Sequence, residues 1–233
     1  KGQANYSVCF NTLCPIKVPR LRRTYPNWLA REGARGQEFN AWGSPPNSPE
    51  HTVMLTYTRM LSGPMDFTPG IFNLAYQGLD AENRVQTTLA KQLALYVVLY
   101  SPIQMAADLP EHYEANLAPF QFIQDVPTDW EESIAIAGDV GDYAVFARKD
   151  RQSEAWYVGG ITDEHARTVD ISLDFLTKGK TYTAQIYQDG KQANWQTNPY
   201  DIEIVEKPVK AGEKLTLKMA TSGGVAIRLV PNQ

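Results

Sequence analysis

Two glutamates, Glu32 and Glu38, stand six residues apart in the run R-E-G-A-R-G-Q-E that begins at Arg31. Gly33 and Gly36 lie between them and let the backbone turn, so both carboxylates are predicted to face one cavity. A carboxylate pair has two chemical uses. It can divide acid and base roles in the cleavage of a glycosidic bond, or one group can hold a hard cation while the other handles a proton. The same spacing also fits a solvated loop in which Arg31 and Arg35 neutralise the two acids. Around the pair, residues 22–51 pack charge, aromatic rings, Gly and Pro together with little amphipathic pattern, as active-site loops do. Trp42, Glu50 and His51 belong to this stretch and are the candidates for lining a binding pocket, although His51 fits equally well as a hydrogen-bonded loop residue.

Other chemistries lack their parts. Gly33-x-x-Gly36 has neither a preceding strand nor a following Lys-Ser/Thr, so it is not a phosphate loop. Cys9 and Cys14 have no second pair and no nearby His, which argues against zinc, and either a disulfide or free thiols suits so low a count. His51, His112 and His165 are far apart, and no G-x-S-x-G elbow accompanies them.

The elements that must position the two glutamates alternate between strand and helix. Asn5–Asn11, Met65–Phe67 and Gln104–Ala106 are predicted as short buried strands. The clearest helix is Val85–Tyr100, where Val85, Leu89, Leu93 and Val97 recur every four residues and Pro102 follows. This alternation predicts a parallel α/β sheet or barrel. After about Asp139 the pattern changes to period two, in Tyr143–Arg148, Trp156–Ile161, Thr168–Leu173, Tyr182–Tyr187, Leu215–Met219 and Val225–Val230. Turn residues separate these runs, as in a β-sandwich. Two domains are therefore predicted, residues 1–128 and 129–233, with the boundary near Thr128–Gly138.

Hydrophobic residues are 43% and charged residues 21% of the 233, an ordinary globular composition. A net charge of -4 removes the electrostatic motive for nucleic acid or anionic lipid as partner. No run approaches the ~18 apolar residues of a membrane helix. Five Trp and twelve Tyr suit a neutral sugar held by stacking, and suit cores and sheet faces as well. The start at Lys1, without Met or a signal segment, reads as a processed or cut end.

The motifs R-R-T-Y-P-N from Arg22, R-E-G-A-R-G-Q-E-F-N-A-W from Arg31, P-E-H-T from Pro49, G-P-M-D-F-T-P-G from Gly63 and T-T-L-A-K-Q-L-A-L-Y from Thr87 resemble family 97 of the glycoside hydrolases. The similarity runs on through S-P-I-Q-M-A-A-D-L-P-E and D-V-P-T-D-W, so it covers nearly the whole chain in linear order. The resemblance implies the C-terminal part of a catalytic (β/α)8 barrel followed by an antiparallel β-sandwich domain, with the N-terminal part of the enzyme as the missing partner. It implies Glu38, which ends the R-G-x-E motif, as the general acid, Glu32 as a ligand of Ca2+, and an oligosaccharide as substrate. It also implies a periplasmic or secreted location.

Inverting members of the family carry a glutamate in an H-E-P motif, and retaining members a glycine. Here Leu13-Cys14-Pro15 stands at that place, and Val18-Pro19-Arg20 replaces the usual P-T-G. The first reading is an inverting α-glucosidase acting on starch- or malto-oligosaccharide-type substrates. The alternatives are a retaining α-galactosidase of the same family, or a non-catalytic structural or carbohydrate-binding fragment.

Overall fold

The computed structural model of the chain describes residues 9–12 and 24–232. Cys14 and Val18–Arg20 lie outside the described residues, and with them any pairing of Cys9 with Cys14.

In the first half, β1 (Phe10–Thr12) and β2 (Trp28–Arg31) pair in parallel, and Arg31 forms a further parallel bridge with Met65. The predicted strand Met65–Phe67 is thus reduced to a single bridge. Gln104–Ala106 forms no strand: Met105 O takes the Tyr96 hydroxyl at 2.6 Å in place of a ladder partner, the Gln104 side chain donates from Nε2 to Leu99 O at 2.9 Å, and just past the segment Ala107 N donates to Pro69 O at 3.3 Å. Four α-helices are described: α1 (Pro49–Tyr57), α2 (Leu89–Val98), α3 (Pro110–Glu114) and α4 (Leu117–Asp125).

Helix α2 starts four residues later than its apolar period predicts. Thr88 takes the cap position, its hydroxyl accepting from Lys91 N at 3.2 Å, while Val85 N is drawn off to Leu74 O at 3.0 Å. All ten residues of α2 are buried, Lys91 and Gln92 included.

The second half holds β3 (Trp130–Asp139), β4 (Tyr143–Asp150), β5 (Trp156–Thr162), β6 (Arg167–Ser172), β7 (Thr181–Asp189), β8 (Ile202–Lys210), β9 (Lys214–Met219) and β10 (Gly224–Pro231). Six of them form an antiparallel sheet in the order β3-β4-β5-β10-β7-β8, and β6 pairs with β9 in a second sheet. The six runs of period two all became strands. The period-two reading missed β3 and β8, the two edges of the large sheet. An edge strand with exposed residues on both faces carries little alternation, and Pro208 in β8 costs nothing where one side of the ladder is open.

The large sheet is covered on both faces. On one, Val145, Val158, Ile171, Leu217 and Ile227 pack between the two sheets. On the other lies α2, so that Ala144, Tyr157, Ile161 and Ala226 of the sheet share a core with Leu93, Val97, Phe67 and Leu74 of the first half. The helix can approach so closely because the sheet presents glycine. A Cβ on Gly159 would meet Val97 Cβ at 2.7 Å and Ala94 O at 2.8 Å, and one on Gly224 would meet Lys91 Cα at 2.7 Å. Polar contacts fix the docking. Lys91 Nζ donates to Pro49 O and Thr162 O at 2.8 Å each and to Ser222 Oγ at 3.3 Å. Arg148 Nε donates to Val97 O at 2.6 Å, satisfying a carbonyl at the helix C-terminus.

Candidate active site

Glu32 follows directly on β2, at the end of a parallel strand where its backbone must leave the ladder. Gly33 makes the exit with φ 66°, a left-handed conformation that glycine tolerates. Arg59 clamps the exit from below, its Nε donating to Glu32 O at 2.8 Å and its Nη2 to Arg31 O at 2.8 Å. The Glu32 carboxylate turns back over its own loop, and Oε1 accepts from Gly36 N at 3.2 Å.

Glu38 sits on a 3-10 turn, Gln37–Ala41, and is exposed. Its neighbours are held firmly. Gln37 N donates to Phe67 O at 2.8 Å, and the buried Gln37 amide meets that of Gln92 on α2, with Nε2 to Oε1 at 2.6 Å. Beyond the turn, Asn47 donates to Gly36 O through Nδ2 and to Asn40 Oδ1 through its backbone, at 2.9 Å each. The acid therefore stands on a braced turn while its own side chain is open to solvent.

A third carboxylate joins the two glutamates. Asp66, only 4% exposed, follows Met65 at the end of the neighbouring strand position, and its backbone N donates to Arg31 O at 2.9 Å. Its Oδ2 accepts from Asn11 Nδ2 at 2.5 Å. Reading the glutamate spacing did not single it out, because it lies 34 residues beyond Glu32 between the apolar Met65 and Phe67. The available signal was its place, a charged residue at the end of a short buried run inside G-P-M-D-F-T-P-G. Thr68, two residues on, takes φ 59°, a conformation unusual for a residue with a β-branched side chain and frequent near functional sites.

The three acids feel one another. Burial raises the Glu32 pKa above the ordinary carboxylate range, the Gly36 amide opposes the rise, and the charges of Glu38 and Asp66 add to it. Asp66 is likewise raised by burial, against the Asn11 hydrogen bond, with Glu38 adding again. Such a cluster favours whatever brings positive charge to it, a proton or a cation. Among the described residues, no three His, Cys, Asp or Glu side chains group as a metal requires.

The remaining candidates divide. His51, on α1, donates from Nε2 to Arg35 O at 2.8 Å, and burial lowers its pKa, so it is a neutral ring bracing the loop between the glutamates. Glu50 is exposed in the first turn of the same helix. Trp42 is 63% exposed at the end of the Glu38 turn, edge-on to Phe39 with ring centroids 6.2 Å apart. Arg35 lays its guanidinium over Phe39, 4.9 Å from the ring centroid.

Residues 129–230 match the family model described as glycosyl-hydrolase 97 C-terminal, oligomerisation. The chain is 38% identical over 231 residues to the retaining alpha-galactosidase of Bacteroides thetaiotaomicron, a match covering 97% of this chain and 34% of that protein. A probable retaining alpha-galactosidase of Streptomyces bingchenggensis is 30% identical over 212 residues, covering 90% of this chain and 29% of that protein. Among solved structures, a variant of a glycoside hydrolase family 97 enzyme from Pseudoalteromonas sp. strain K8, in complex with panose, is 64% identical with a TM-score of 0.95, covering 99% of this chain and 36% of that one. The enzyme has also been solved in complex with acarbose, with the same identity, TM-score and coverage. The chain thus spans roughly a third of the length of these relatives.

Proposed function

The chain belongs to glycoside hydrolase family 97, as the C-terminal portion of such a protein, and on that premise we propose that the full-length enzyme cleaves terminal α-linked sugars with Glu38 as its general acid. The observation that carries this reading is the placement of Glu38, exposed on a turn braced by Gln37 and Asn47 beside two further carboxylates. Glu38 gives its proton to the departing glycosidic oxygen, and Trp42 offers an open ring face on which a sugar can stack. Glu50 and His51 border the same loop. The parallel pairing of β1, β2 and Met65, with Glu32 and Asp66 at the strand ends, supports residues 1–128 as the last part of a (β/α)8 barrel whose rim carries the site.

Calcium is the cation that suits this cluster. Glu32 and Asp66 are hard oxygen donors, and the rise in both their pKa values, from burial first and from the charge of Glu38 as well, is relieved by bound positive charge. Two carboxylates are fewer than the six to eight oxygens that calcium takes, so carbonyls, water or further carboxylates must complete the set. When bound, the ion polarises sugar oxygens and shifts the acidity of nearby groups. Exhaustive chelation of the full-length enzyme is expected to abolish activity, with recovery on adding calcium. Full activity after chelation removes the metal from this proposal.

We infer an α-glucoside as substrate because the 64% identical relative was solved with panose, a trisaccharide of α-linked glucose, and with acarbose. The names of the two alpha-galactosidase relatives favour the second reading, a retaining α-galactosidase. p-Nitrophenyl α-glucoside and α-galactoside, assayed side by side on the full-length enzyme, decide between them. Preference for the galactoside overturns the first. Action in the periplasm or outside the cell follows from the family resemblance alone.

A further inference from the structure

We propose that Gln92, on the buried helix α2, is a positioning residue that sets the place of Glu38 through Gln37; this inference rests on the reading of Glu38 as the acid. Gln92 is fully buried. Its Oε1 accepts from Gln37 Nε2 at 2.6 Å and from Gly70 N at 3.0 Å. Its Nε2 donates to Gln37 Oε1 at 3.2 Å and to Thr87 Oγ1 at 2.9 Å. Every hydrogen-bonding position of the amide is used: two lone pairs and two N–H groups.

The network leaves one orientation open to each amide. Gly70 N can only donate, so the oxygen of Gln92 must face it, which turns Nε2 toward Thr87 and Gln37. The Gln37 amide must then present nitrogen to Oε1 and oxygen to Nε2. Gln37 is the residue before Glu38, and its backbone N is held by Phe67 O at 2.8 Å. Gln92 thereby joins two loops at one point, the loop that carries Glu32 and Glu38 and the loop that follows Asp66.

The helix beneath is itself buried and tied down. The residue before Gln92 is Lys91, whose ammonium reaches Pro49, Thr162 and Ser222, and glycines of the large sheet press against the same turn. An apolar side chain would fill this position without the desolvation that a buried amide costs. What an apolar side chain cannot do is hold Gln37 and Gly70 at fixed hydrogen-bond distances. A fully satisfied polar network rigidifies what it touches, and catalytic groups held on rigid elements keep their geometry.

The test uses the full-length enzyme and compares a disaccharide, whose leaving group needs a proton, with a dinitrophenyl glycoside, whose leaving group does not. In Gln92→Leu, kcat on the disaccharide is expected to fall about 10- to 100-fold, as for an acid misplaced by about 1 Å, with the dinitrophenyl glycoside changed less than about threefold and KM little altered. Loss of folded protein alone lowers both substrates equally, and an equal loss or no loss overturns the proposal. Glu38→Gln is run in parallel. If Glu38→Gln shows the split and Gln92→Leu does not, the positioning role fails and the acid stands. If Glu38→Gln shows no split, the acid assignment fails and takes this inference with it. Should Gln92→Leu not fold, Gln92→Glu keeps the acceptor for Gly70 and Gln37 but lacks both N–H donors. The same split is then expected, and its absence is equally fatal.

Discussion

Replacing Glu38 by Gln in the full-length enzyme will lower kcat on a disaccharide by about 10²–10⁴-fold, the usual contribution of a general acid, while a dinitrophenyl glycoside keeps most of its rate. The physical reason is the leaving group. An alkoxide leaves only if its oxygen gains a proton as the bond breaks, whereas a dinitrophenolate is stable without one. The amide of Gln fills the space of the carboxyl and can donate a hydrogen bond, but it has no proton to transfer. Because Glu38 is exposed and its turn is held by Gln37 and Asn47, the substitution leaves the fold intact, and folded fraction can be checked by circular dichroism. An effect below about threefold on the disaccharide rejects the assignment.

The second large effect concerns stability. Lys91→Met removes the ammonium that serves Pro49 O, Thr162 O and Ser222 Oγ inside the contact between α2 and the large sheet. Pro49 O and Thr162 O each lose a buried donor at a cost of about 1–3 kcal/mol, while Ser222 Oγ keeps its bond to Gln86 O, so a total of about 3 kcal/mol is expected even though Met fits the volume. That corresponds to a fall of roughly 6–12 °C in the thermal midpoint of a unit of this size. The loss also depends on pH. Burial pushes the Lys91 ammonium down to about 7, below the ordinary lysine value near ~10.4. Between those values the unfolded chain holds a proton that the folded chain has released, so wild-type stability rises with pH across that window. Asp189, pushed up to about 6 by burial, acts in the opposite sense at lower pH. Thermal midpoints at pH 7 and pH 9.5 test both parts. The gap between wild type and Lys91→Met is expected to widen at the higher pH, and equal slopes show that Lys91 keeps its charge in the interface.

Glu32 and Glu38 were legible because they are close in sequence and separated by glycines that announce a turn. Asp66 was not, since its one local signal, a charge ending a short apolar run, does not connect it with glutamates 34 and 28 residues before it. Only the parallel bridge between Arg31 and Met65 brings it to the glutamates. Of the six strands read from the sequence, β6 and β9 turn one face to a core and one to solvent, whereas β5 is buried on both faces. The two edge strands were silent for want of that contrast. Helix α2 was recognised as a helix from its four-residue period, but the period could not show that it is covered on every side.

The sequence by itself determined the family, through long motifs in linear order, and the presence of two carboxylates in a loop between short elements. It also determined the change from period 3.6 to period two that separates the two halves. Those properties are local, written in neighbours a few residues apart, and they persist whatever the rest of the chain does. The tertiary structure alone decided which polar residues would be buried. Lys91 and Gln92 sit side by side in an apolar helix, and their side chains are reached by residues 42 to 131 positions away in one case and 22 to 55 in the other, apart from Thr87. No window of sequence contains those partners, and the stability expected of Lys91 and the positioning inferred for Gln92 both arise from closing such long loops onto one buried helix.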